Sequence, residues 1–166
     1  VQEIVLKKDS RLISILDNES DPSCVTNDNW HKGEFLIPFP NRIRSGEYEF
    51  NGKKYNLDIN MSNEENAIHG IMFSKEFILD TDTAGNSITL RHSYDGSNQG
   101  YPFPCTVTYM FTLYPQIVSC DISVMNTGTQ TLPLGVGWHP YFSLGANVEE
   151  LELKRLYRPP LGLSHD

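Results

Sequence analysis

The stretch Gly135-Val136-Gly137-Trp138-His139-Pro140-Tyr141-Phe142 puts one imidazole among three aromatic rings. A histidine can give and retake a proton near neutral pH. Rings that shield it from water disfavour its charged form and lower its pKa. Gly135 and Gly137 lack a Cβ, so another backbone or a ligand can approach closely. A second imidazole stands in Asn66-Ala67-Ile68-His69-Gly70, where the glycine permits a sharp turn directly after the histidine. A third group is Arg42, in the stiffened stretch Pro38-Phe39-Pro40-Asn41-Arg42-Ile43. Arginine presents five donors and stays charged, which suits sugar hydroxyls and carboxylates. Each group also has a plainer interpretation: a core ring for His139, a surface loop for His69, a surface charge for Arg42. Trp30 and His31 read more simply as cover for a sheet edge than as a pocket rim, and His92 as a satisfied core or cleft-edge residue.

The elements that would carry these groups are short strands. Val1 to Lys8 and Arg11 to Asp17 flank a tight turn at Asp9-Ser10. Asn18 to Gly33 is polar and reads as a loop. The prolines after Ile37 take the chain out of a sheet near Pro38. Glu47 to Phe50 and Lys53 to Asp58 flank Asn51-Gly52, a pair suited to the two positive-φ positions of a type I′ hairpin turn. Asn60 to Glu76 reads as a polar connection. Ser87 to Tyr94, Thr106 to Tyr114 and Ile117 to Asn126 alternate apolar and polar residues, as half-buried strands do. Leu132 to Trp138 and Glu149 to Leu153 complete the set. No segment has a useful 3.6-residue apolar period, so the expected fold is all-β, an antiparallel β-sandwich.

The bulk numbers narrow the partners. A chain of 166 residues is long enough for one domain with a sizeable core. Its net charge of −8 argues against nucleic acid and anionic membrane surfaces. No apolar run approaches the ~20 residues of a bilayer-spanning helix. Cys24, Cys105 and Cys120 are odd in number and widely spaced, which fits unpaired thiols in a cytoplasmic protein. CxxC, HExxH, P-loop, GxGxxG and EF-hand patterns are missing, so a metal site built from a local motif is not expected.

Three pieces in order carry a family resemblance: Pro38 to Ile43 followed by Gly46 and Tyr48, then Ala67 to Gly70, then Gly137 to Phe142. Tyr101-Pro102-Phe103-Pro104 leading into a tyrosine-bearing strand belongs with them. Together they resemble the aldose 1-epimerase (galactose mutarotase-like) family, over nearly the whole chain. The resemblance implies a large β-sandwich, or supersandwich, that binds hexoses in an open cleft and interconverts α and β anomers without a cofactor. It implies that Arg42 and the adjacent Asn41 bind sugar hydroxyls, that His69 holds the ring-oxygen side, and that His139 is the general acid. It also implies a glutamate base and a sugar-binding aspartate from a C-terminal half. Glu149, Glu150 and Glu152 do not match that motif. Residues 1–166 therefore read as the N-terminal portion of one such domain, with the C-terminal remainder as expected partner and a small sugar, free or phosphorylated, as substrate. The other function class consistent with the same residues is a non-catalytic carbohydrate-binding β-sandwich.

Overall fold

A computed structural model describes residues 3–17, 31–80, 85–143, 148–150 and 152. Among the described residues the regular structure is strand, apart from two single 3₁₀ turns at Ser62–Glu64 and Val148–Glu150. The strands are β1 (Val5–Lys8), β2 (Arg11–Ser14), β3 (Phe35–Leu36), β4 (Arg42–Arg44), β5 (Glu47–Phe50), β6 (Lys53–Asn56), β7 (Asn66–Ile68), β8 (Ile78–Asp80), β9 (Ser87–Tyr94), β10 (Cys105–Tyr114), β11 (Ile117–Asn126) and β12 (Gly137–Trp138). All pairings between these strands are antiparallel. The fold is thus the all-β, antiparallel one that the alternating runs predict.

β8 to β11 form a four-stranded sheet in the order β11-β10-β9-β8. Its inner face is set by the period of two: Cys105, Val107 and Tyr109 of β10 are all buried. Tyr101, Ile37 and Met72 pack into the same core. Phe35 of β3 stacks on Tyr109 with ring centroids 4.5 Å apart, which joins the proline-rich segment to the sheet. The hairpins at Asp9-Ser10 and Asn51-Gly52 form as expected, with positive φ at both central residues of each.

Three expectations need correction, and one strand was unmarked. The stretch from Asn60 to Glu76 is more than a connection: β7 lies within it and pairs with β4, Ile43 opposite Ala67. β8, an edge strand with Ile78 and Leu79 exposed, carries no alternation long enough to mark it. Only Gly137 and Trp138 of the Leu132–Trp138 run pair as a strand, because the backbone at Gly135 turns to bond Pro38 instead. Val148–Glu150 is a 3₁₀ turn rather than the start of a strand, in keeping with the low strand propensity of consecutive glutamates. Trp30, Cys24 and the run beyond Glu152 lie outside the described residues. Cys105 is buried and Cys120 exposed, both as free thiols.

Candidate active site

The segment from Phe35 to Arg42 is the hub on which both histidine motifs dock. Its Ile37 carbonyl accepts from the N–H groups of Ile71 (3.0 Å) and Met72 (3.1 Å), which fixes the turn after His69. Gly70 sits there at φ 74°, and a Cβ on it would collide with the Ile37 carbonyl, so only glycine fits. On the other side, the Pro38 carbonyl accepts from Gly135 N–H, and Leu36 pairs with Gly137. A Cβ at Gly135 would come within 2.8 Å of Pro40 Cδ, and one at Gly137 within 3.1 Å of Pro40 Cβ. The two glycines before His139 therefore serve a close backbone approach, as their type predicts.

This docking brings the imidazoles together. The His69 and His139 ring centroids are 5.3 Å apart. Asn41 and His69 continue the β4–β7 ladder reciprocally: His69 N–H donates to the Asn41 carbonyl (3.0 Å), and Asn41 N–H donates to His69 Nδ1 (3.2 Å). Both residues adopt left-handed backbone conformations, φ 69° at Asn41 and 64° at His69, at a cost of order 1–3 kcal/mol each. Because Nδ1 accepts, the neutral ring carries its proton on Nε2 and presents a donor. His69 is only 6% exposed. Burial, helped by the nearby His31, His139 and Arg42, pushes its pKa down from 6.5 to about 4, so the ring is neutral at pH 7.

Arg42 lies beside this pair, exposed, with its guanidinium forked onto Glu64: Nε to Oε2 at 2.5 Å and a second terminal nitrogen to Oε1 at 3.2 Å. A further nitrogen donates to Asn41 Oδ1 at 3.3 Å. The fork raises the Arg42 pKa and lowers that of Glu64. Glu64 is a residue that sequence reasoning missed, because its approach to Arg42 depends on the unmarked β4–β7 pairing.

His139 is half-buried, and of the three rings adjacent in sequence it is Tyr141 that stacks on it, 5.2 Å between centroids and 18° between planes. Trp138 packs against Phe35 and Phe142 instead. Shielding of His139 by all three rings is therefore corrected: strand alternation sends Trp138 to the opposite face. The deeply desolvated imidazole is His69.

His31 also belongs here, contrary to the simpler interpretation as edge cover. Its ring lies edge-to-face with His69, 4.6 Å between centroids, and against Phe73 at 5.2 Å. Its Nδ1 is 2.6 Å from Glu34 Oε2. The signal in the sequence was a histidine three residues before a glutamate, just ahead of β3. His92 is as expected: half-buried, with Nδ1 on the Glu76 carbonyl at 2.8 Å and its ring against Phe77. Among the described residues no group of three or more His, Cys, Asp or Glu is arranged to hold a metal ion, and no helix is long and apolar enough to cross a membrane.

The arrangement offers a neutral donor, a second imidazole and a planar cation within one small region, a set suited to hydrogen-bonding and acid–base work on a polyol. The Escherichia coli K12 protein YihR is 37% identical over 114 residues, 68% of this chain and 36% of YihR. The E. coli K12 protein YphB is 30% identical over 109 residues, again 36% of its length. A crystal structure of a putative aldose 1-epimerase from E. coli K12 superposes with a TM-score of 0.64 at 26% identity, covering 78% of this chain and 42% of that one. A galactose mutarotase-like protein from Clostridium acetobutylicum shares the fold with a TM-score of 0.70 at 21% identity, over 78% and 41% of the two chains. The chain thus spans well under half the length of these relatives. The family model described as aldose 1-epimerase matches residues 1–158, and the chain belongs to the aldose 1-epimerase family.

Proposed function

We propose that this chain supplies the histidine face of a site that interconverts the α and β anomers of a hexose by general acid–base ring opening. The observation that carries it is the contact of His69 with His139 at 5.3 Å, with Asn41 and Arg42 hydrogen-bonded into the same cluster. A base takes the proton of the anomeric hydroxyl while an acid protonates the ring oxygen. The bond between anomeric carbon and ring oxygen breaks, the aldehyde rotates, and reclosure reverses both transfers. His139 is the acid in this scheme. His69, neutral and donating through Nε2, holds the ring-oxygen side. Arg42 and Asn41 orient the hydroxyls, since a neutral sugar offers no charge to grip.

The base is a glutamate from the C-terminal remainder of the domain, which is the partner we assign to residues 1–166. A groove of about 480 Å³ between the β1–β2 hairpin and the β10–β11 hairpin, lined by Phe35, Phe111, Trp138 and Phe142, supports that assignment: it is apolar surface that a sandwich partner would cover. A free hexose suits the site better than a hexose phosphate. Arg42 is already committed to Glu64, and Lys32, over the Tyr141 ring, is within 3.2 Å of Asp17. Polarimetry of mutarotation on the intact protein tests the proposal. Acceleration of a free hexose supports it, and sugar binding without acceleration leaves a carbohydrate-binding module.

A further inference from the structure

We infer that His31, held by Glu34, is a third sugar-contacting histidine, whose Nε2 accepts a hydrogen bond from a substrate hydroxyl beside the oxygen to which His69 donates. The inference rests on the hexose site proposed above. Glu34 Oε2 lies 2.6 Å from His31 Nδ1, and a carboxylate only accepts, so Nδ1 must carry a proton. In the neutral ring the lone pair is then on Nε2, for which no hydrogen-bond partner exists among the described residues. His69 has the opposite tautomer, because Asn41 N–H occupies its Nδ1. Two imidazoles 4.6 Å apart thus present one acceptor and one donor, the complement of a sugar's neighbouring hydroxyls, each of which both donates and accepts.

The position of His31 is fixed from three sides. Its side chain is only 16% exposed and rests against Phe73. Glu34 N–H closes a turn back to the His31 carbonyl at 3.3 Å. The same turn is laced to the acid-bearing strand: Gly33 N–H donates to the His139 carbonyl (2.9 Å), His139 N–H donates to the Glu34 carbonyl (3.0 Å), and Trp138 Nε1–H donates to the Gly33 carbonyl (3.2 Å). His31 and His139 are therefore held in one frame, and Glu34 acts as a positioning residue that sets the His31 tautomer.

Two measurements on the intact protein test this. Long-range ¹H–¹⁵N correlation spectra at pH 8 should show His31 as the Nδ1–H tautomer and His69 as the Nε2–H tautomer; the Nε2–H form at His31 overturns the inference without any variant. NMR titration with D-galactose, D-glucose and their monodeoxy analogues should show one analogue binding about two- to tenfold more weakly than its parent, the worth of one hydrogen bond. His31→Phe should abolish that discrimination. Glu34→Leu should weaken it, and Glu34→Gln, which keeps an acceptor on Nδ1, should restore it. Unchanged discrimination in a folded His31→Phe or Glu34→Leu protein overturns the inference, even where mutarotation proceeds. Loss of mutarotation with the discrimination intact defeats the proposed reaction alone, and a protein that binds no hexose defeats both.

Discussion

His69 is the residue whose protonation the fold resists most clearly. Its pKa is about 4 in the folded chain against 6.5 unfolded, with burial as the leading cause. Between those values the unfolded state binds more protons, so stability rises with pH across the window. The contribution is complete above pH 6.5 and is lost as pH falls toward 4, by up to about 3 kcal/mol at ~1.4 kcal/mol per pKa unit. Urea midpoints at pH 7 and pH 4.5 should show this loss, and His69→Gln, which cannot titrate, should flatten it. Arg42 behaves differently. Its ion pair with Glu64 is exposed, and such pairs add little to stability. Arg42→Ala should leave the thermal midpoint nearly unchanged and weaken hexose binding in an NMR titration; an equal loss in both would make Arg42 a structural residue. At this scale residue type alone singled out His139, His69 and Arg42, which the fold brings together. His31 and Glu64 carried no such signal, because their places beside these groups come from backbone pairing.

At the scale of elements, the glycines separate by what surrounds them. Gly70 and Gly52 share a positive φ, but a Cβ on Gly70 meets the Ile37 carbonyl while one on Gly52 meets nothing within 4 Å. Gly52→Ala should therefore cost about 1 kcal/mol of left-handed strain. Gly70→Ala should cost at least about 2 kcal/mol more, because the β4–β7 corner must also open. Chemical denaturation of the two variants checks the order, and equal losses would mean that the Ile37 contact yields freely. The long strands β9, β10 and β11 could be read from alternation, and both tight turns from their turn-forming residues. The three-residue strands β7 and β8 could not, since a period of two needs more residues than they contain. Glu149 and Glu150 went astray for the same reason: a five-residue run with three acids sets no register.

At the scale of the molecule, the chain matches only 36–42% of the length of the relatives described, and the groove beside β10 and β11 exposes apolar surface. Leu113, Tyr114 and Ile117 are all more than half exposed at that edge. On the proposed assembly, residues 1–166 alone should bind a hydrophobic dye or self-associate in sedimentation velocity, and the intact domain should do neither. A monomeric, dye-silent fragment would show that the groove needs no cover. The order of the three motifs made the family legible from sequence. Their convergence on the Phe35–Arg42 hub was not, because it depends on the buried carbonyls of Ile37 and Pro38, which no side chain advertises.

The most direct measurement is the polarimetric rate of hexose mutarotation by the intact protein, with and without His139→Ala. General acid catalysis by this ring predicts acceleration by the wild type and a loss of about 10²–10⁴-fold in the variant, with the fold and hexose binding retained. A His139→Ala protein that folds, binds hexose and mutarotates at the wild-type rate would contradict the account.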